Sequence, residues 1–421
     1  MVVMMQKMQN LFNNRKVFYS VIIVLTLLFG VFSFLTIKSY SNKEEPKTKE
    51  KVLERETFTT YISDGNGHYK KYTSTDGTLY PSGYAYNQGI SYCEDLDGNR
   101  LDIVPTYANN KFTLESDKTA FCYLYFDIKL PTAAEELIAS GELWSSGLEG
   151  DGYRYTGSGA YNSETTPNNF ICFGTSDKTE CKNNEAKYMY RIIGVFPDNN
   201  GNQHLKLISL KQLGSYAWNA DSQTDIAWEN SDMYRGLNGE YFLTNTTYDY
   251  LQNNTWLNKI EDWTWSAVNT KTYDGSGGPS YYDEVYTQQM YLHELNRSSK
   301  TSTIGEWSTP VAKIGLMYAS DYQMSLGSSS LSYTGSSNAA TLKTGWMHQS
   351  NNDTTGNIWE WTLSRYGDRD GRFYAWDVNS DGNVHSYGVG STAGARPVFH
   401  LTSDARINGG NGEYTNPYIL E

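Results

Sequence analysis

The chain has 421 residues, of which 38% are hydrophobic, 14% aromatic and 19% charged, and it contains 35 Tyr and 11 Trp. This much apolar and aromatic material can build folded cores and excludes a wholly disordered chain. The net charge of −13 argues against nucleic acid as a partner, because a phosphate backbone repels an acidic protein.

The first predicted element is residues 17–37, an apolar or neutral run without a charge. It is long enough to span a bilayer as a helix. Lys7, Arg15 and Lys16 precede it, and no acidic residue does. The positive-inside rule then puts residues 1–16 in the cytoplasm and the bulk of the chain outside the cell membrane. A cleaved signal peptide is the alternative, but the run is long for one and ends without a small-x-small cleavage site.

Residues 38–57 are rich in Lys, Glu and Ser and lack an apolar period, which predicts a charged stalk. Over 58–130 the sequence alternates β-forming residues with Asp-Gly turns, which predicts a small β-sandwich domain. Residues 131–146 are expected to form a helical connector, with Pro131 early and Gly141 after the helix.

Four cysteines, Cys93, Cys122, Cys172 and Cys181, lie beyond the predicted span. An even number of cysteines on the outside of a cell predicts two disulfides. Sequence order favours Cys93–Cys122 and Cys172–Cys181, although three connectivities are possible. Zinc is the lesser alternative, because the sequence has no CxxC-like spacing.

Residues 147–421 are predicted to form the second domain, with few helices and irregular loops. Residues 190–196 and 204–210 are expected to pair as a hairpin. Ser231 is expected to cap a helix, residues 283–296 are the strongest helix candidate, and residues 373–387 are expected to form a late hairpin.

One motif in this second domain is specific. The sequence Gly356-Asn-Ile-Trp-Glu-Trp361 is followed by Gly394-Ala-Arg-Pro-Val-Phe399. This pair resembles the formylglycine-generating-enzyme, or sulfatase-modifying-factor, branch of the C-type-lectin-like fold. The resemblance implies a C-type-lectin-like second domain. With the transmembrane helix and the disulfide-stapled β-sandwich predicted above, the whole chain is expected to be α+β. The resemblance also implies that residues 190–196 lie beside residues 396–401, since the first and last strands pair in that fold. Residues 168–196 and the C-terminal end are, in addition, similar to membrane-anchored surface proteins of Gram-positive-type bacteria.

The resemblance also implies a structural calcium site. Carried over to this sequence, the metal ligands are the side chains of Asp353 and Glu360 and the backbone carbonyls of Gly356 and Ile358. Hard oxygen ligands, including carbonyls, are what Ca²⁺ prefers. The alternative is that Glu360 accepts hydrogen bonds from loop amides behind two core tryptophans.

The oxidase activity of that family is not expected here. It needs two late cysteines to hold copper, and no Cys follows Cys181. The motifs Gly-x-Ser-x-Gly and His-Glu-x-x-His and a phosphate-binding Gly loop are also missing. The six His are scattered along the chain, which is more typical of packing or surface residues than of catalytic bases.

The late hairpin is the predicted ligand-binding face. Its tip, Asp377-Val-Asn-Ser-Asp-Gly382, matches half of an EF-hand loop but has Gly388 where the Glu is required, so a plain hairpin turn is expected. In several lectin-fold receptors this late segment contacts the ligand, and aromatic faces with polar fringes suit sugars or protein surfaces. A solvated hairpin with core tryptophans is the alternative. The candidate ligand-binding residues are Arg365, Tyr366, Arg369, Arg372, Tyr374, Trp376, Asn379, His385 and Tyr387.

Together these features predict a membrane-anchored extracellular protein that binds an unknown protein or glycan ligand, or acts in adhesion, without being an enzyme. The alternatives are an enzyme or enzyme accessory acting on surface proteins, and a structural component of the cell envelope. A buried acid–base pair in a cleft would favour the enzyme, whereas an exposed aromatic face over 364–393 would favour binding.

Overall fold

A computed structural model shows a mostly β protein with few helices, several mixed sheets and two disulfides. It describes residues 50–52, 58–73, 81, 83–108, 111–115, 119–148, 150–159, 166–222, 227–268, 272–273, 279–280, 291, 294, 307–328, 340–351, 359–369 and 372–421. Across these ranges no helix is long and apolar enough to cross a membrane, and the predicted span over 17–37 lies outside them. The chain divides between Leu130 and Pro131 into two compact units.

Unit 1 contains two sheets. The large sheet has six strands: Phe58–Ser63, Tyr69–Lys71, Tyr84–Tyr86, Tyr92–Glu94, Arg100–Leu101 and Phe121–Ile128. The small sheet has three: Glu50–Val52, Thr106–Ala108 and Lys111–Glu115. Strand Phe121–Ile128 is central and pairs with three neighbours, and its burial alternates residue by residue. One face is therefore core and the other is open, as period-two alternation requires.

The core of unit 1 joins its two sheets. Phe112 and Leu114 of the small sheet share a cluster with Leu124 and Phe126 of the large sheet, and the Phe112 and Phe126 rings lie 6.0 Å apart. The Cys93–Cys122 disulfide links two paired strands in that core. The disulfide closes a loop of 29 residues. The closed loop lowers the conformational entropy of the unfolded chain, which stabilises the folded unit by about 3–4 kcal/mol.

Unit 2 is built on a seven-stranded central sheet. Its strands are Trp144–Ser145, Tyr153–Arg154, Phe170–Cys172, Met189–Pro197, Gln203–Ser209, Val398–His400 and Tyr418–Ile419. Met189–Pro197 forms the predicted hairpin with Gln203–Ser209, and that prediction is confirmed. The implied pairing of residues 190–196 with 396–401 is wrong. Gln203–Ser209 lies between those two segments, because its free edge pairs with Val398–His400.

The second sheet of unit 2, which we call the hairpin sheet, carries the late motif. Its strands are Ser215–Ala217, Glu360–Arg369, Arg372–Val378, Val384–Gly388 and Thr392–Gly394. The late hairpin is confirmed, with Asp377 opposite His385 in an antiparallel pair. Its tip is a tight turn in which the Asn379 side chain accepts bonds from the backbone N–H groups of Asp381 and Asn383, which is Asx-turn chemistry. Three two-stranded ribbons complete the strands: Trp263–Thr264 with Val311–Ala312, Ala267–Val268 with Trp307–Ser308, and Thr272–Tyr273 with Pro279–Ser280.

The described helices of unit 2 are short, and the predicted helix over 283–296 lies outside the described residues except for Tyr291 and Glu294. The α-helices are Ala133–Ala139, Lys178–Asn183, Glu185–Tyr188, Asp232–Leu237, Asn254–Leu257, Ala319–Met324 and Trp346–Asn351, and the 3₁₀ segments are Trp228–Asn230 and Thr246–Gln252. Thr132 and Glu135 form a capping box at the first helix, and Ser231 caps another as predicted. Ala133, Ala134 and Leu137 lie in the core of unit 2, so the predicted connector helix is packed into this unit.

The Cys172–Cys181 disulfide ties the strand Phe170–Cys172 to the following helix. Both disulfides therefore join the cysteine pairs that sequence order favoured, and the described part of the chain has no free cysteine. Two intact, buried disulfides indicate an oxidising compartment.

Candidate functional site

A cavity of about 450 Å³ lies at one end of the central sheet in unit 2, within the range of ligand pockets. Its walls come from the sheet, the turn after Pro197, the Trp263 ribbon and the start of helix Ala319–Met324. The lining residues are Gly150, Arg154, Phe196, Pro197, Asp198, Asn199, Asn200, Lys206, Glu261, Asp262, Trp263, Thr264, Ser266, Tyr291, Glu294, Thr309, Tyr318, Ser320, Asp321 and His400.

The floor of the cavity is a network of buried charges. Lys206 donates to the carboxylate of Asp321, and Arg154 donates to Asp151 while its second Nη lies 3.7 Å from Asp321 Oδ1. All four side chains are at most 3% exposed. Burial lowers the pKa of Lys206, with Asp321 opposing the effect. Burial also disfavours the charge on Arg154, but Asp151 and Asp321 outweigh it and raise the pKa. Two cations therefore face two carboxylates, as buried charges require.

Glu294 is a further buried carboxyl in the cavity wall. It accepts hydrogen bonds from the hydroxyls of Ser320 and Ser364 and, at 3.4 Å, from the Ser320 N–H. Burial raises the pKa of Glu294 to about 7, against the Ser320 and Ser364 hydrogen bonds and with the help of the Asp321 charge. Glu294 is thus close to half-protonated at neutral pH, unlike an ordinary Glu.

His400 and Trp263 form the aromatic wall. Their rings stack at 3.6 Å between centroids and 4° between planes. Burial, followed by the charges of Lys206 and His204, lowers the pKa of His400 well below its ordinary value, so the imidazole is neutral. His204 also contacts the Trp263 ring, at 5.3 Å. Two of the six scattered histidines therefore meet at one tryptophan.

The protein's own cations cover several ring faces in the cavity. The Lys206 ammonium lies 4.6 Å from the centre of the Tyr318 ring and 5.3 Å from that of Phe196. The Arg154 guanidinium lies 4.8 Å from the centre of the Phe196 ring. Cation–π contacts of this kind hold buried cations in place, so the floor is rigid.

Glu360, the described member of the predicted calcium site, is a partner of Arg396. Its two carboxylate oxygens accept bonds from Arg396 Nε at 2.7 Å and from Nη2 at 2.9 Å, and both residues are buried. Asp353, Gly356 and Ile358 lie outside the described residues. Within those residues no group of three or more His, Cys, Asp or Glu side chains could hold a metal ion. The cation seen at Glu360 is thus a guanidinium, and the calcium ion stays a prediction.

The predicted ligand-binding residues of the late hairpin do not form one exposed face. Arg365 and Trp376 are both 4% exposed, so neither offers a surface to a macromolecular ligand. The side chains of Tyr366, Arg369 and Arg372 lie outside the described part of the chain. The others differ in exposure: Tyr374, Asn379 and Tyr387 are half-buried and His385 is exposed.

The Tyr387 ring packs 5.0 Å from Trp359 and 6.1 Å from Trp361. His385 sits 3.4 Å from the buried Asp377 carboxylate. These contacts make the hairpin part of the core of unit 2 as well as part of its surface.

The cavity residues were not predicted from the sequence, although one of them, Lys206, carries a signal of its burial. Lys206 interrupts the apolar strand His204-Leu-Lys-Leu-Ile208, which is buried along almost its whole length. A charge in such a strand needs a buried partner. Nothing in the sequence identified Asp321 as that partner, because it lies 115 residues away.

Comparisons of the chain with protein-family models, with curated proteins and with solved structures gave no match.

Proposed function

We propose that this protein is a membrane-anchored, extracellular ligand-binding or adhesion protein, and that the cavity of unit 2 receives the ligand. The observation that carries this proposal is the pairing of the charges in the cavity floor: Lys206 with Asp321, and Arg154 with Asp151. A nucleophile or base needs a free reactive atom, whereas a preformed floor whose cations are paired with carboxylates suits recognition. A cavity of this size admits the terminal group of a glycan or a side chain of a protein.

A C-type-lectin-like fold for unit 2 is part of the proposal. Two features support it. The C-terminal strand Tyr418–Ile419 lies beside the early strand Phe170–Cys172, which brings the two ends of the unit together. The halves of the late motif also bond to each other through Glu360 and Arg396.

The proposal that the bulk of the chain lies outside the cell membrane can be tested separately. The charge-free run at 17–37 and the basic residues before it support an uncleaved anchor with the bulk of the chain outside, and the two disulfides agree with an oxidising exterior. Protease treatment of intact cells is expected to release fragments from beyond the predicted span. Peptide mapping of the released material checks this, and a chain that stays protected until the cells are lysed contradicts it.

The ligand site is tested by a glycan and protein array probed with the full-length chain and with Trp263→Ala. We expect Trp263→Ala to weaken binding about five- to thirtyfold, since an aromatic wall contributes roughly 1–2 kcal/mol of contact energy. Trp144→Ala is the matched control, because Trp144 is equally half-buried but stands on an edge strand outside the cavity. Melting curves verify that each variant is folded. Unchanged binding by a folded Trp263→Ala variant would rule out the cavity as the ligand site.

An enzyme acting on surface molecules is the second candidate function. It is favoured by one observation, that Glu294 has a pKa of about 7 and lines the same cavity as Asp321. A carboxyl group in a cavity whose pKa is raised toward neutral pH by burial is typical of a general acid or base. Incubation of the bound ligand with wild type and Glu294→Gln decides between the two functions. Chemical turnover that is lost in Glu294→Gln while binding persists would favour the enzyme.

A further inference from the structure

Most of the charged groups that line the cavity have partners within the protein. Beyond the Lys206–Asp321 and Arg154–Asp151 pairs, Asp198 accepts bonds from the N–H groups of Asn200 and Asn202 in its own turn, both at 2.8 Å. Asp262 lies 3.3 Å from Lys313 Nζ. The two cations of the floor, Lys206 and Arg154, are paired with Asp321 and Asp151, although Arg154 Nε has no hydrogen-bond partner among the described residues. A charged ligand would therefore enter a low-dielectric space without a full counter-charge, which is costly. The charge pattern therefore selects an uncharged ligand.

Neutral polar atoms in the cavity wall do lack partners. His400 Nδ1 and Ser266 Oγ are buried and have no hydrogen-bond partner in the part of the chain that the structure describes, and both residues line the cavity. Each such atom left unsatisfied costs about 1–3 kcal/mol. A hydroxyl group satisfies either, because it donates and accepts. Half-buried Glu261 adds a carboxylate acceptor to the wall.

The Trp263 ring supplies the apolar contact that a hydroxyl-bearing ring needs. Because it is stacked on His400, the indole is held in one orientation. Flat aromatic surfaces beside polar hydrogen-bonding groups are a typical way to bind compact ring-shaped ligands.

The protonation state of Glu294 makes the ligand affinity of this cavity depend on pH. The groups that face it are Asp321 and Tyr318 from the start of helix Ala319–Met324, Lys206 from the central sheet, and the hydroxyls of Ser320 and Ser364. A neutral ligand displaces water from the cavity and so disfavours the charged form of Glu294 further. Binding of the ligand therefore favours protonation of Glu294, and protonation of Glu294 favours binding of the ligand.

We propose that the cavity binds the uncharged, hydroxyl-bearing ring of a terminal sugar, and that binding is coupled to protonation of Glu294. This inference rests on the proposed function of the cavity as the ligand site. It adds the chemical class of the ligand and the control of affinity by pH.

The test uses the full-length chain and two matched pairs of probes, glucose with glucuronate and N-acetylglucosamine with glucosamine. Tryptophan fluorescence titrations are run at about pH 6 and about pH 8. At about pH 6, where glucuronate and glucosamine are both charged, we expect a neutral probe to bind more tightly than its charged counterpart. The affinity of the neutral probe is expected to fall about fivefold at about pH 8 if the ligand raises the pKa of Glu294 by one. In Glu294→Gln the neutral probe should bind with the same affinity at both pH values. Glu413→Gln, at an exposed site, should behave as wild type.

Three results would overturn the inference: tighter binding of the charged member of each pair, a wild-type affinity that is the same at both pH values, or no binding of any probe. The failure of the ligand class is distinguishable from the failure of the proposed function. If a charged probe or a protein ligand binds and Trp263→Ala abolishes that binding, the cavity remains the ligand site and only the class is wrong. If the variant leaves binding of the array ligand unchanged, the function of the cavity fails as well.

Discussion

Replacing Glu360 by Gln is expected to lower the free energy of unfolding of unit 2 by about 3–5 kcal/mol, the usual cost of breaking one buried ion pair. Arg396 is 1% exposed and Glu360 is 2% exposed, and the two bonds that join them are short and charge-assisted. Without the carboxylate, Arg396 is a buried cation that lacks its counter-charge. Denaturant unfolding of the full-length chain measures the loss.

The control for this experiment is the double variant Glu360→Leu with Arg396→Met. Removing both charges is expected to cost much less than the sum of the single changes, because no buried charge is then left alone. Glu413→Gln should stay within about 0.5 kcal/mol of wild type, since Glu413 is exposed. A Glu360→Gln variant as stable as Glu413→Gln would contradict the role of the pair.

The same variant tests the predicted calcium site. If calcium binds through Asp353, Glu360 and the carbonyls of Gly356 and Ile358, the ion raises the melting temperature of unit 2, since it binds only the folded state. Glu360→Gln then abolishes that rise. Identical wild-type melting curves in calcium and in chelator would contradict the calcium site at Glu360.

Replacing Glu294 by Gln is expected to stabilise the protein at high pH by about 3 kcal/mol relative to wild type, and to have little effect near pH 4.5. The physical reason is burial, which raises the pKa of Glu294 from its ordinary 4.5 to about 7. The folded state therefore holds this proton more tightly than the unfolded state. The stability that results is fully present below about pH 4.5 and is lost as the pH rises to about 7. Gln stays neutral throughout and can still bond to Ser320 and Ser364.

Denaturant unfolding over a pH series measures this difference between wild type and Glu294→Gln. Other buried carboxyls also contribute to the wild-type profile, since burial raises the pKa of Glu360 and Asp377 as well. Subtracting the variant's profile from that of wild type isolates Glu294. Profiles that run parallel from about pH 4.5 to about pH 8 would show that Glu294 ionises normally in the folded protein.

Local features of this protein were predictable because their causes lie within a few residues. Thr132 and Ser231 cap helices through side-chain oxygens that accept a hydrogen bond from the N–H group three residues on. The Asn379 turn closes the late hairpin by the same short-range chemistry. The two disulfides join cysteines that are neighbours in sequence order, 29 and 9 residues apart. For these elements residue type and spacing are sufficient information.

Side-chain exposure in the late hairpin was not predictable from its composition. Arg365 and Trp376 were candidates for a ligand face, yet both are buried. Alternation along a strand divides its residues between two faces, but it does not say which face is covered. In this protein the packing of the hairpin sheet against the rest of unit 2 decides that.

The sequence by itself predicted the two hairpins of the second unit and the Ser231 cap, favoured the cysteine pairs that form, and placed Glu360 and Arg396 in one late motif. Only the tertiary structure decided that Gln203–Ser209 lies between the early and late strands, and that Lys206 meets Asp321. The physical reason is that a buried charge or a free strand edge needs a partner, while the local sequence does not show which residue that partner is. The partner depends on the chain topology, which places segments distant in sequence next to each other. In this protein the same topology forms the cavity.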